Sequence, residues 1–222
     1  MEITGIEPIP VEMGVKPLRD ETGLAPYVSS DRGRNIDTAE HYEVQTRERM
    51  LVRLETDEGV TGWGELLVTL KSAEATAAIV RDVVAPNLLG RDVWEIASFA
   101  SSFYHPYVKI PAVVGGVEMA MWDALGKYLD APLHQLLGGK TEDRVDLAYC
   151  VGILSPEDSR VHSQRALKMG FGVVKTKAGN RWREDVERLV AMDDEADGEI
   201  EFRVDPNQAF SFGDAVRFCA AL

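Results

Sequence analysis

Val173-Val174-Lys175-Thr176-Lys177-Ala178-Gly179 and Ile200-Glu201-Phe202-Arg203-Val204-Asp205-Pro206-Asn207-Gln208 are two short apolar runs that each end in charge. Successive side chains of an extended strand point to opposite faces, so Lys175 and Lys177 project from the same one. Two ammonium groups held close together disfavour each other's charge, which readies one of them to accept a proton near neutral pH. A solvated basic pair is the plainer reading of Lys-x-Lys. Asp205 ends its run as Lys177 ends the one before, and in parallel α/β folds that edge carries the chemistry. A carboxylate there suits a hard cation such as Mg²⁺, and Asn207 could hydrogen-bond a substrate oxygen. Alternatively, Asp205-Pro206-Asn207 merely turns the chain.

Working outward, strands and helices alternate strictly after about Lys140. Leu147 to Ile153 reads as a strand. Ser155-Pro156-Glu157-Asp158 is a helix start with a capping Ser, Pro at the first position and acids in the first turn. That helix runs to Met169 and stops at Gly170. Val173 to Lys177 is the next strand, Arg183 to Ala196 a helix, Ile200 to Asp205 a third strand, and Phe212 to Leu222 a third helix. Cys150 to Lys177 is 27 residues and Lys177 to Asp205 is 28. A strand–helix period near 30 is that of a (β/α)8 barrel, which needs about 250 residues for its eight units. Three units are expected here.

The first 139 residues read differently. Ile3 to Val11 alternates loosely. Met50 to Glu55 and Val60 to Leu67 flank Thr56-Asp57-Glu58-Gly59, a hairpin signal. The polar segment from Gly14 to Glu40 is either a lid or binding loop, or simple disorder. Helical periodicity follows over Ser72 to Val84 (stopping before Pro86), Val93 to Phe103, Val113 to Leu129 and Pro132 to Leu137. Strands followed by helices make an α+β arrangement.

Composition bounds the partners. There are 37 acidic side chains against 24 basic ones, and the basic set is 16 Arg and 8 Lys. A net charge of -13 disfavours nucleic acid and anionic membranes. An acidic, lysine-poor chain also fits a halophilic source. Two of eight lysines in one Lys-x-Lys is hard to ascribe to surface decoration. The absence of a signal-like start or a spanning apolar run points to the cytoplasm. Cys150 and Cys219 read as buried thiols rather than a disulfide framework.

Four stretches in order resemble the mandelate racemase and muconate-lactonizing branch of the enolase superfamily. They are the hairpin Glu55 to Glu65, the helix Ala120-Met121-Trp122-Asp123-Ala124-Leu125-Gly126-Lys127 with Pro132 to Gly139, Lys175-Thr176-Lys177, and Val204 to Gln208. The resemblance implies an α+β capping domain over residues 1–139, followed over 140–222 by the first three βα units of a TIM-type barrel that stays incomplete. It implies Lys177 as the base at the α-carbon, Lys175 as its partner at the substrate carboxylate, and Asp205 as one of three carboxylate ligands to Mg²⁺. The metal would stabilise the enediolate. The Gly14–Glu40 segment would be the specificity loop. Trp122, Asp123, Trp63 and Glu65 are expected to be structural, His105 a surface group and His134 a helix-surface residue.

The expected reaction begins with removal of the proton α to a carboxylate and ends in racemisation or epimerisation, dehydration of a sugar acid, or cycloisomerisation. The polar loop favours dehydration. The partner is a small carboxylate, and the whole protein is expected to be a homo-oligomer. The family's other metal and acid–base residues belong on later strands, so these 222 residues are expected to be the N-terminal part of a longer polypeptide and inactive alone. The rival reading is a non-catalytic remnant or interaction module derived from such an enzyme.

Overall fold

The computed structural model describes residues 1–15, 45–68, 72–104, 110–179 and 181–222, with only the backbone described at 13–15 and 45–48. Most of the Gly14–Glu40 segment, and His105 with Pro106, lie outside the described residues. Two compact units divide between Asp143 and Arg144.

In the first unit, β1 (Ile3–Val15), β2 (Gln45–Thr56) and β3 (Thr61–Leu66) form an antiparallel sheet in that order. Alternation on β2 sends Met50, Val52 and Leu54 into the core. The β2–β3 turn is possible because Gly59 takes φ +72°. The main packing partner of β3 is α4 (Pro111–Tyr128), which buries Val113, Val117, Ala120, Met121, Ala124 and Leu125 at helical spacing. Contact here is backbone on backbone. A Cβ on Gly62 would lie 2.0 Å from the Ala120 carbonyl oxygen, and one on Gly64 would lie 2.0 Å from that of Gly116. Asp123 on α4 accepts the Trp63 N–H at 2.7 Å and pairs with Lys127 at 2.6 Å. Trp122 packs against the same core, so both residues play the structural parts expected of them.

The helices before α4 depart from their expected bounds. α1 (Ala73–Ile79) passes through a π-helical turn at Val80–Val84 into α2 (Ala85–Leu88), so the helix does not stop before Pro86. The wider turn hands the Ala85 N–H back to the Val80 carbonyl, and Pro86 then sits in a first turn, where its missing N–H is tolerated. α3 is only Ile96–Ser102, because Asp92 Oδ1 takes the Trp94 N–H at 3.1 Å and makes a turn of the expected first residues. α5 (Leu133–Leu136) leaves His134 exposed and ends at Gly138 and Gly139, both at positive φ.

The second unit is a three-stranded parallel sheet in the order β4 (Tyr149–Val151), β5 (Val173–Lys177), β6 (Glu201–Asp205). Helices α6 (Pro156–Lys168), α7 (Trp182–Ala196) and α8 (Phe212–Ala221) follow the strands in turn. Ser155 and Ser211 cap α6 and α8, each accepting the N–H of the residue three along at 3.1 Å. One sheet face is apolar: Val151, Val174, Phe202 and Val204 join Leu189, Met192, Ala196 and Phe218 in one core. The buried residues of α6 are unusual, with Ser159, His162 and Ser163 beside Ala166. Tyr149 Oη lies 2.9 Å from His162 Nδ1.

β4 is shorter than expected, and Val145 and Leu147 before it are exposed. Cys150 and Cys219 are exposed as well, against the expectation of buried thiols. Cys150 is directly opposite Lys175 and shares its polar face, while Cys219 is one helical position past buried Phe218. Among the described residues no helix is long and apolar enough to cross a membrane.

Gly64→Ala forces a side chain against backbone that cannot swing away. The expected loss is about 1–3 kcal/mol of stability, read as a lower urea midpoint.

Candidate active site

The parallel register sets Cys150 beside Lys175 beside Arg203, and Lys177 beside Asp205. Because side chains alternate, Lys175, Lys177 and Asp205 share the face turned away from the helices, with Lys177 and Asp205 at the carboxyl ends of their strands. The three groups meet. Lys177 Nζ donates to Asp205 Oδ2 at 2.7 Å and to Asn207 Oδ1 at 2.9 Å. Lys175 Nζ lies 3.2 Å from the same Oδ2. The like charges of the lysine pair therefore share one anion, so their mutual repulsion is offset. This differs from a bare Lys-x-Lys, in which each ammonium faces only the other.

The lysines differ in setting. The Lys177 side chain is 11% exposed and that of Lys175 is 43% exposed. Lys177 thus has a fixed direction, and Lys175 is open to something arriving from solvent. Asp205 also turns the chain: its Oδ1 accepts the Asn207 N–H at 3.0 Å, and Asn207 and Gln208 both sit at positive φ. Asp205 thus uses one oxygen for the turn that Asp205-Pro206-Asn207 makes and the other for the lysines. The Lys177 ammonium, the Asn207 N–H and the Lys175 ammonium hold the Asp205 carboxyl well below the usual carboxylate range.

Asp205 offers Mg²⁺ a hard oxygen, but only one carboxylate. Among the described residues no group of three or more His, Cys, Asp or Glu side chains is placed to hold a metal ion. The described residues therefore fit a single ligand of such a site and not the set.

Two residues beneath the site were not singled out in the sequence. Arg188 and Asp185 on α7 are both buried and lie against the back of β5. Asp-x-x-Arg usually reads as an exposed helical pair. The available signal is that both positions continue the apolar stripe Leu189, Met192 and Ala196.

An α+β unit is followed by a strand–helix alternating unit whose charged cluster lies at the carboxyl edge of a parallel sheet, and this combination defines the class. Residues 29–138 match the model for the mandelate racemase/muconate lactonizing enzyme N-terminal domain, and residues 158–222 match the enolase C-terminal domain-like model. The N-succinyl-L-Arg/Lys racemase of Bacillus cereus is 28% identical over 165 residues, which cover 72% of this chain and 45% of that protein. The chloromuconate cycloisomerase of Cupriavidus pinatubonensis is 30% identical over 181 residues, covering 78% and 49%. Among solved structures, the substrate-liganded L-Ala-D/L-Glu epimerase of Bacillus subtilis matches with a TM-score of 0.78 at 26% identity, over 98% of this chain and 57% of that one. Other relatives include D-galactonate dehydratases. The chain spans about half the length of the curated relatives it matches. It belongs to the mandelate racemase/muconate lactonizing enzyme family of the enolase superfamily.

A depressed carboxyl leaves a clear mark. At about pH 3.9, where an ordinary aspartate is half protonated, the Asp205 side-chain carbon resonance should still report the ionised form. Since its folded value lies below its unfolded one, the stability it contributes is intact above that pH and lost only as pH falls through the folded value.

Proposed function

We propose that the chain is the N-terminal part of an enzyme that removes the proton α to a carboxylate. The observation that carries this is the meeting of Lys177, Lys175, Asp205 and Asn207 at the carboxyl edge of a parallel sheet. Lys177, in its neutral form, takes the α-proton. The C–H electron pair moves toward the carboxylate, which becomes an enediolate. Lys175 is exposed enough to meet the substrate carboxylate and stays cationic, so it counters the charge that builds there. Asn207 holds Lys177 Nζ in the resting site and offers a hydrogen bond to a substrate oxygen once that ammonium is freed.

Asp205 is the residue that would hold Mg²⁺, with the other ligands supplied from outside the described residues. When bound, the metal supplies further electrostatic stabilisation of the enediolate oxygen. Racemisation, epimerisation, dehydration and cycloisomerisation all share the first proton transfer, and relatives carry names of each kind. We assign this chain to that shared step.

The test is deuterium uptake at the α-carbon by the whole polypeptide in D₂O. A panel of N-succinyl amino acids, dipeptides, muconates and sugar acids covers the chemistry of the relatives' substrates. Lys177→Ala should slow exchange by about 10²–10⁴-fold. Exchange that persists at the unaltered rate in Lys177→Ala would sink the assignment. With a single carboxylate ligand among the described residues, the 222-residue chain alone is expected to show no saturable Mg²⁺ binding at millimolar metal, which calorimetry can check.

A further inference from the structure

The side of β5 opposite the lysines is gripped by a charged group for which the proton transfer has no direct use. The Arg188 side chain is 2% exposed, and its guanidinium faces the strand. Nη1 donates to Thr176 Oγ1 at 2.8 Å, and Nη2 donates to the main-chain carbonyl of Lys177. Asp185, three residues earlier and equally buried, faces Nη2 through Oδ1 at 3.4 Å. Its other oxygen accepts the Gly179 N–H at 2.9 Å. Thr176 in turn donates to the Gly152 carbonyl, just past β4, at 3.4 Å. A single ion pair thus holds three points within the four residues from Thr176 to Gly179.

A buried ion pair is a poor source of stability, because desolvation offsets its attraction and an apolar pair of similar volume often does as well. What a guanidinium does supply is direction, since its planar fork fixes where its acceptors lie relative to one another. Here the acceptors are the residue that carries the Lys177 ammonium and the one before it. The same segment also meets the β6 loop. Gly179 takes φ +122°, and a Cβ on it would lie 2.5 Å from the Cβ of Ala209, two residues past Asn207. The Ala178 N–H donates to the Asp205 carbonyl at 3.3 Å. Any shift of the β5 end is therefore a shift of Lys177 against Asp205 and Asn207.

We propose that Arg188, oriented by Asp185, is a positioning residue: it fixes the carboxyl end of β5 from behind and so sets Lys177 Nζ between Asp205 and Asn207. Its catalytic meaning rests on the reading of Lys177 as the base, while the geometry it controls does not.

The test is limited acylation of the full chain with acetic anhydride, with the rate at each lysine read by peptide mass spectrometry. Held by two acceptors, Lys177 should react slowly, and Lys127 in the other unit serves as the internal reference. Arg188→Met keeps length and packing but removes the fork, and should raise the Lys177-to-Lys127 rate ratio severalfold. Arg188→Lys, which reaches one acceptor at a time, should fall between. A residue that only braces the fold would lower the melting temperature and leave the ratio where it was. An unchanged ratio in folded Arg188→Met therefore overturns the proposal. Should that variant fail to fold, Asp185→Asn keeps an acceptor for the Gly179 N–H while removing the charge. It should raise the same ratio, and an unchanged ratio there overturns the proposal equally. Failure of the base assignment is distinguishable, because it would appear as persistent α-hydrogen exchange in Lys177→Ala and leave the acylation ratio untouched.

Discussion

β5 and β6 pair in parallel from Val173 opposite Glu201 to Lys177 opposite Asp205, and the site exists only in that register. A slip of one residue would turn Thr176 toward Asp205 and drive both lysines into the apolar layer beneath the sheet. Burial on that layer holds the register: Val151, Val174 and Val204 lie against the helices only when the lysines face away. Two buried ammonium groups would be far more costly than any backbone adjustment the slip could gain. Hydrophobic packing on one face of the sheet thus specifies the placement of charge on the other. Asp205 completes the arrangement by using its two oxygens for different purposes, one to turn the chain and one to gather the lysines.

The residues of this edge were legible because period-two alternation and strong helix starts locate them without tertiary knowledge. Ser155-Pro156-Glu157-Asp158 fixes where α6 begins, and the spacing from Lys177 to Asp205 follows from one strand–helix unit. How the charges settle was not legible. Sequence alone placed Lys175 beside Lys177, but only the strand register shows that a third residue 28 positions on stands between them. Arg188 and Asp185 stayed hidden because a charged helical pair ordinarily faces water. Cys150 and Cys219 went wrong for a related reason, since small thiols are usually buried and these two fall on outward positions. Pro86 misled because a proline ends a regular helix, whereas a π-helical turn resets the hydrogen bonding before it.

In the first unit, residues without side chains decide the packing. Gly62 and Gly64 on β3 face Ala120 and Gly116 on α4, so strand and helix approach to the limit set by their main chains. Trp63 between the two glycines then points outward, and its N–H is held by Asp123 rather than by a further strand. Gly62-Trp63-Gly64 reads only as part of a hairpin strand in the sequence; its role as a contact surface appears once α4 is laid across it.

The inner side of α6 has a consequence for how the second unit comes apart. Ser159, His162 and Ser163 occupy three of its four buried positions, and Ser159 Oγ, His162 Nε2 and Ser163 Oγ are buried without hydrogen-bond partners among the described residues. Burial also pushes the His162 imidazole toward its neutral form, only partly opposed by Asp158. A helix seated on polar atoms surrenders little apolar contact when it lifts, and water reaching those atoms satisfies them. Partial opening of this unit should therefore start at α6, while α7, anchored by Leu189, Met192 and the Arg188 fork, stays with the sheet. In amide hydrogen exchange the two helices would behave as separate cooperative blocks, and the one behind the lysines would be the slower.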